Sequence, residues 1–308
     1  MDLLTEFRNM PVHALRRLGR RFGVGDTSLP AYNNVVVGWK NRVVAGGGDV
    51  PSISTLNVLN TFYNGLLNAG IASLMVNVNC FVPDNLQAAL TPLIAVSGNG
   101  SPTGTNVNNW INTNFVAGDL STNGLKGNAS NKYLKSGVIP SACLGAQSAG
   151  ITLYNTFSEI TTNVDISVTG TPQGQSQIML LLNYTGYGTF FDVYNDTTGR
   201  INSGGGSALA GGVGYCSGNR TDSTTSYVYK ATSAISHVAI AGPGGTNTGG
   251  AVTKEIYVYC QNTNGSPTLY VAKQFSFVAI HFGLTAAQSS ILFNLVQAMR
   301  ISFGGGYV

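Results

Sequence analysis

The sequence predicts a mainly β chain, a sandwich or barrel of short antiparallel strands closed by a C-terminal helix. Three observations carry that expectation. From Asn112 onward, short apolar or alternating runs recur between clusters of Gly, Asn, Thr and Pro, the pattern of strands joined by tight turns. Helical spacing is confined to a few segments, too few for the alternating strand and helix units of a parallel sheet. Hydrophobic residues make up 43% of the 308 residues and charged ones only 9%, which supplies a core and argues against charge-driven disorder.

Residues 1–28 read as a basic arm. Leu3, Leu4, Phe7 and Met10, then Ala14, Leu15, Leu18 and Phe22, recur at helical spacing around Pro11, with Arg16, Arg17, Arg20 and Arg21 between them. Two short amphipathic helices are expected, with Pro11 opening the second. Residues 1–42 hold seven basic and three acidic side chains and the remainder is balanced, so this end carries the net charge of +4. Nothing local can bury the apolar stripe, so it is expected to dock on another surface, in this chain or a neighbour. A secretory leader is not expected, because the basic residues follow the apolar ones. Nor is a membrane span, the longest aliphatic run being Ile178 to Leu182.

Residues 29–100 read as a helix-containing connecting segment. It opens with turns, a short strand at Val35 to Val37, and the Gly46–Gly48 run. A helix capped by Ser52 or Ser54 follows, with Ile53, Leu56, Leu59, Phe62, Leu66 and Leu67 on one face up to Gly70. An apolar stretch from Ile71 to Val82 leads to a short helical piece around Asn85 to Leu90, and a polar loop ends the segment.

Residues 101–308 are the β body. Strands are expected at Tyr133 to Val138, Ile151 to Tyr154, Val164 to Val168, Gln177 to Asn183, Thr189 to Tyr194 and Ser226 to Tyr229. Others follow at Ser236 to Ile240, Lys254 to Cys260, Thr268 to Ala272 and Gln274 to Ile280. The chain closes with a helix capped by Thr285 and carrying Ile291, Leu292, Leu295, Val296 and Met299. Cys80, Cys143, Cys216 and Cys260 show no zinc spacing and are expected as buried free thiols.

Three segments together resemble tailed-bacteriophage and prophage virion proteins that carry a concanavalin A-like, or laminin-G-like, jelly roll. They are Ser52 to Leu56 with Thr61, Phe62 and Ala69 to Ile71, leading to Asn79 to Phe81 and Asn85 to Leu93; Asn112 to Phe115 with Gly124 to Asn128 and Lys132 to Leu134; and Gln261 to Pro267 with Phe275 to Val278 and Leu284 to Gln288. The likeness runs from about residue 44 to 302, excludes the arm, and lacks an anchor around Cys143 to Gly150. It implies a jelly-roll β-sandwich in a virion structural protein, a lectin-like homo-oligomer made in the host cytoplasm. Its partners would be other virion proteins and copies of itself. Decoration of the capsid surface is the expected place, with the tail or its fibres as the alternative. The arm residues Leu15, Arg16, Arg17, Leu18, Arg20, Arg21 and Phe22 are the expected anchor, the stripe burying apolar area while the arginines fix register.

Chemistry is sparsely represented. The body holds only Glu159 and Glu255 among glutamates and no close carboxylate pair of the kind a jelly-roll glycosidase needs. Asp165 and Asp192 are expected to face solvent or cap turns. His13, His237 and His281 lack Ser, Asp or Cys neighbours and read as core or edge residues. No enzymatic activity, cofactor or metal is expected, and nucleic acid is not an expected partner. The alternative to a purely structural role is a receptor-binding module for host surface glycans, since lectins of this shape hold sugars with Asn, Asp and an aromatic platform. Asp192, Tyr194, Asn195 and Asp196, or Tyr259, Asn262 and Asn264, would form such a group, and chance clustering in an Asn-rich chain is the competing reading. Trp110 is expected as a packing residue.

Deleting residues 1–28 is expected to leave the body folded while abolishing its incorporation into particles. Co-sedimentation of the truncated protein with assembled particles checks the outcome, and normal incorporation would refute the anchor.

Overall fold

Two antiparallel sheets lie face to face, and two long helices cover the outer face of the first. The computed structural model describes residues 32–95, 109–170, 176–186, 188–195, 200–204, 212–234, 236–244 and 252–306. The arm and its anchor residues lie outside the described residues. Helices α1 (Asn34–Ala45), α2 (Ile53–Asn68) and α3 (Leu86–Leu90) precede most of the β structure, α4 (Pro140–Cys143) interrupts it, and α5 (Ala286–Ser302) follows it. The strands are β1 (Met75–Asn79), β2 (Ile111–Thr113), β3 (Leu120–Ser121), β4 (Gly124–Lys126), β5 (Tyr133–Lys135) and β6 (Ala149–Phe157). Next come β7 (Ile166–Thr169), β8 (Gln177–Tyr184), β9 (Gly188–Asn195), β10 (Ile201–Asn202), β11 (Gly214–Arg220) and β12 (Ser226–Ala231). The last are β13 (Val238–Gly244), β14 (Tyr257–Val258), β15 (Gln261–Thr263), β16 (Ser266–Thr268) and β17 (Gln274–His281).

The first sheet runs β13-β12-β11-β6-β17-β4-β3, with β1 also paired to β17. The second runs β10-β9-β8-β7-β14-β5-β2 and carries the β15–β16 hairpin. The expected mainly β sandwich is what the chain forms. Strand alternation sends Ile151, Leu153, Cys216, Val228, Val278 and Ile280 of the first sheet against Ile166, Val168, Ile178, Leu180, Phe191 and Val193 of the second in one buried cluster. Trp110 belongs to this cluster, its Nε1 donating to Asn77 Oδ1 at 3.0 Å. Cys80, Cys216 and Cys260 are buried and Cys143 is half-buried, all four unbridged.

The alternate residues of the first sheet meet the helices. Phe62 of α2 packs edge-on against Phe277 at 5.9 Å, and Tyr154 Oη donates to Gln297 Oε1 of α5 at 2.6 Å. The two helices approach where Gly65 faces Leu295, since a Cβ on Gly65 would lie 2.4 Å from Leu295 Cδ2. Their ends follow local chemistry. Ser52 Oγ accepts from Thr55 N at 3.1 Å, and α2 stops where Ile71 N returns to Leu66 O across Gly70 at φ +69. Thr285 and Gln288 form a reciprocal capping box on α5. Among the described residues no helix is long and apolar enough to cross a membrane.

Several local expectations fail. Val35 to Val37 are not a strand but the first turn of α1, where Asn33 Oδ1 caps Val35 N at 3.0 Å. Val36, Trp39 and Val43 bury one face at helical spacing, and Trp39 Nε1 donates to Thr91 O at 2.8 Å. That tertiary burial outweighs the β preference of consecutive valines. Of Lys254 to Cys260 only Tyr257–Val258 forms a strand, and Thr268 to Ala272 is mostly an irregular return. Strand β11 was not anticipated. Its sequence, GYCSGNR, is polar, yet every residue is buried between β6 and β12.

A directional chain of hydrogen bonds makes that burial tolerable. Leu284 N donates to Asn219 Oδ1 at 3.0 Å, and Asn219 Nδ2 donates to Ser217 Oγ at 2.8 Å. Ser217 Oγ lies 2.7 Å from Thr152 Oγ1, which lies 2.8 Å from His281 Nε2. His281 Nδ1 is 2.8 Å from Phe282 O, which can only accept. The proton of neutral His281 therefore sits on Nδ1, Nε2 accepts from Thr152, and Thr152 in turn accepts from Ser217.

Burial pushes the His281 imidazole down to about 4. Unfolded, it takes up its proton near pH 6.5, so between these values the unfolded chain binds more protons than the folded one. Stability is expected to be complete above about pH 6.5 and to fall as the pH drops towards 4, by up to about 3 kcal/mol from this residue. Urea unfolding measured across that window checks this, and His281→Gln is expected to flatten that part of the profile.

Candidate functional site

The outward face of the second sheet carries the groove. Cross-strand partners share a face, so the pairings Met179 with Asp192 and Leu181 with Phe190 place these side chains together on the side away from the core. Val164, Met179, Leu181 and Phe190 form a separate apolar cluster there, with Tyr184 at its border. Tyr184 meets Phe190 edge-on at 5.2 Å. Gln261 and Leu269, from the β15–β16 hairpin and the turn after it, face this floor with Thr162 across a cleft of about 160 Å³.

The polar wall is built around Asp192. Its carboxylate is fully buried. Gln177 Nε2 of β8 donates to Oδ2 at 2.9 Å. Arg200 Nε lies 3.1 and 3.0 Å from the two carboxylate oxygens, and Nη2 lies 2.8 Å from Oδ2. The guanidinium also stands 4.7 Å over the Phe190 ring. An arginine held at once by a carboxylate fork and a ring face is fixed in position and orientation. Ion neutralises ion, so the wall presents hydrogen-bonding groups without net charge.

The expectation that Asp165 and Asp192 face solvent is corrected: both are completely buried and ion-paired, Asp192 to Arg200 and Asp165 to Lys273. A buried carboxylate needs such a partner, and each strand aspartate has one of the body's few cations. Tyr194 is enclosed, with Oη 3.4 Å from Leu144 O, and burial pushes its phenol up. Asn195 ends β9; Asp196 lies outside the described residues. The second expected group does not converge. Tyr259 is core, its ring stacked on Phe275 at 4.6 Å and its Oη donating to Leu125 O at 2.6 Å. Asn262 clasps its own hairpin, donating to Glu255 O and accepting from Gly265 N, both at 2.6 Å. Asn264 sits exposed at the hairpin tip. Gln177, Tyr184, Phe190, Arg200 and Gln261 were not singled out from the sequence. Arg200 carried a signal, as a rare body cation eight residues beyond Asp192 in the sequence.

A second cleft, of about 350 Å³, is lined by Thr232, Ser233, Ser236, His237, Ser290 and Asn294. His237 Nε2 lies 3.0 Å from Ser289 Oγ, its ring stacks on Tyr229 at 5.0 Å, and burial lowers its basicity. Among the described residues no group of three or more His, Cys, Asp or Glu could hold a metal ion.

No family model and no curated sequence matches the chain. Solved structures do. Domain 4 of an extracellular family 43 arabinanase from Geobacillus stearothermophilus, in complex with arabinotriose, is 11% identical with a TM-score of 0.42, covering 71% of this chain and 98% of that one. A Trypanosoma rangeli sialidase mutant displaying trans-sialidase activity is 12% identical with a TM-score of 0.44, covering 78% of this chain and 39% of that one. A family 54 arabinofuranosidase is 9% identical with a TM-score of 0.38, covering 75% and 47%. The expectation that the chain is not an enzyme is corrected by these neighbours, which are glycoside hydrolases or parts of them. At this distance they assign no substrate or reaction to this chain.

Arg200→Ala strands a buried carboxylate and is expected to cost about 3 kcal/mol in urea unfolding. The double variant Arg200→Met/Asp192→Leu is expected to recover most of that loss, because no unpaired charge remains.

Proposed function

We propose that the chain is a virion surface protein whose β-sandwich recognises carbohydrate through the groove on its second sheet. The observation that carries the reading is the rigid, charge-compensated Asp192–Arg200–Gln177 wall beside the apolar floor of Phe190, Met179 and Leu181. A sugar has the matching two-sidedness: a C–H face for an aromatic or aliphatic floor and hydroxyls for fixed amide and guanidinium groups. Because the carboxylate of Asp192 and the guanidinium of Arg200 cancel among the described residues, neutral glycans suit the cleft better than ionic ones. The virion setting rests on the sequence resemblance and the basic arm.

A glycan array probed with the full chain tests recognition. Binding of neutral glycans is expected, and Phe190→Ala, which removes the aromatic ring of the floor and leaves the ion pair in place, is expected to weaken it by at least about tenfold. An array without hits, or hits indifferent to Phe190→Ala, would sink the groove as the site. Immunogold labelling of intact particles with an antibody to the chain tests the setting.

A further inference from the structure

The interior of the sandwich holds a pair of charges that the groove does not use. Asp165, just before β7 of the second sheet, and Lys273, just before β17 of the first, are both completely buried, with Nζ 3.0 Å from Oδ2. Both are held by the backbone of one residue: Leu182 N donates to Asp165 Oδ2 at 2.6 Å, and Lys273 Nζ donates to Leu182 O. Asp165 Oδ1 is buried without any partner.

We propose that Lys273 and Asp165 condense into an intramolecular amide that ties one sheet of the sandwich to the other. The step needs no outside reagent. The ammonium passes a proton to the carboxylate, the neutral amine attacks Cγ, a C–N bond forms and the C–Oδ1 bond breaks. Oδ1 leaves as water, carrying two of the three protons that began on Nζ. The oxygen that stays, Oδ2, is the one already held by Leu182 N–H, which also stabilises charge developing there during attack. The amide N–H that stays points to Leu182 O, its present acceptor. The product loses the orphaned oxygen and replaces two buried charges with a neutral group.

The surroundings push in the same direction. Burial raises the pKa of Asp165 and outweighs the opposing pull of Lys273, with a smaller push from Glu159; Glu159 is fixed nearby by accepting from Ala272 N at 2.8 Å. Lys230, also buried, is disfavoured as a cation by burial and by the charge on Lys273, which condensation would remove. Contact at 3.0 Å in a rigid interior supplies the proximity that makes such a condensation competitive with its reversal.

Mass spectrometry of the purified, denatured full chain tests the proposal. The expected mass is one water below that of the sequence. Trypsin is expected to fail after Lys273 and to yield a branched species joining residues 136–200 to residues 255–300. Lys273→Met is expected to restore the full mass. A wild-type chain of full sequence mass, cleaved normally after Lys273, would overturn the proposal, and so would a water loss without the branched peptide, as from a succinimide.

Discussion

The first sheet is covered on both faces, and that constraint governs the rest of the molecule. A layer between a second sheet and two helices has no water for its side chains, so every polar residue on it must find a partner inside the protein. The chain is rich in Ser, Thr and Asn and poor in ions, and it meets most of that requirement with hydroxyls and amides, leaving Asn77 Nδ2, Asn155 Oδ1 and Ser226 Oγ buried without a partner. The run from Leu284 through Asn219, Ser217 and Thr152 to His281 is the clearest case. It fixes the start of α5 to strands β11, β6 and β17, and its direction leaves no place for a second proton on the histidine.

Charge is used sparingly, and the two buried strand-region carboxylates are each paired with a cation. Asp192 with Arg200 and Asp165 with Lys273 put strand carboxylates against cations at either side of the second sheet, one toward the groove and one toward the interior. The first pair shapes a surface, because Arg200 also lies over Phe190 and remains partly accessible. The second is sealed, with the backbone of Leu182 gripping both partners. The same electrostatic necessity thus yields a fixed polar wall at the surface in one place and a candidate cross-link in the other.

The groove was only partly legible in the sequence. Asp192 was singled out, but its neighbours come from β8, from Arg200 just before β10, and from a hairpin that returns over the sheet some seventy residues later. Residues two apart on a strand share a face, so Phe190 beside Asp192 was within reach of sequence reasoning. Gln177 and Gln261 were not, because strand pairing decides them. Tyr259 and Asn262 looked like a site because an aromatic stood beside amides. In the fold the ring points to the core and the amide closes its own turn.

By itself the sequence determined the class of fold and the elements with local chemistry. The caps at Ser52 and Thr285, the glycine stop at Gly70, and the alternating apolar strands each act within a few residues. Only the tertiary structure decided that Val35 to Val37 wind into a helix, that polar β11 lies at the centre of a sheet, and which cations meet Asp165 and Asp192. Local preferences are worth a fraction of a kcal/mol per residue; burying an aromatic anchor or leaving a polar group unpartnered is worth about 1–3 kcal/mol. Where the two compete, long-range packing wins, and its partners are not neighbours in the chain.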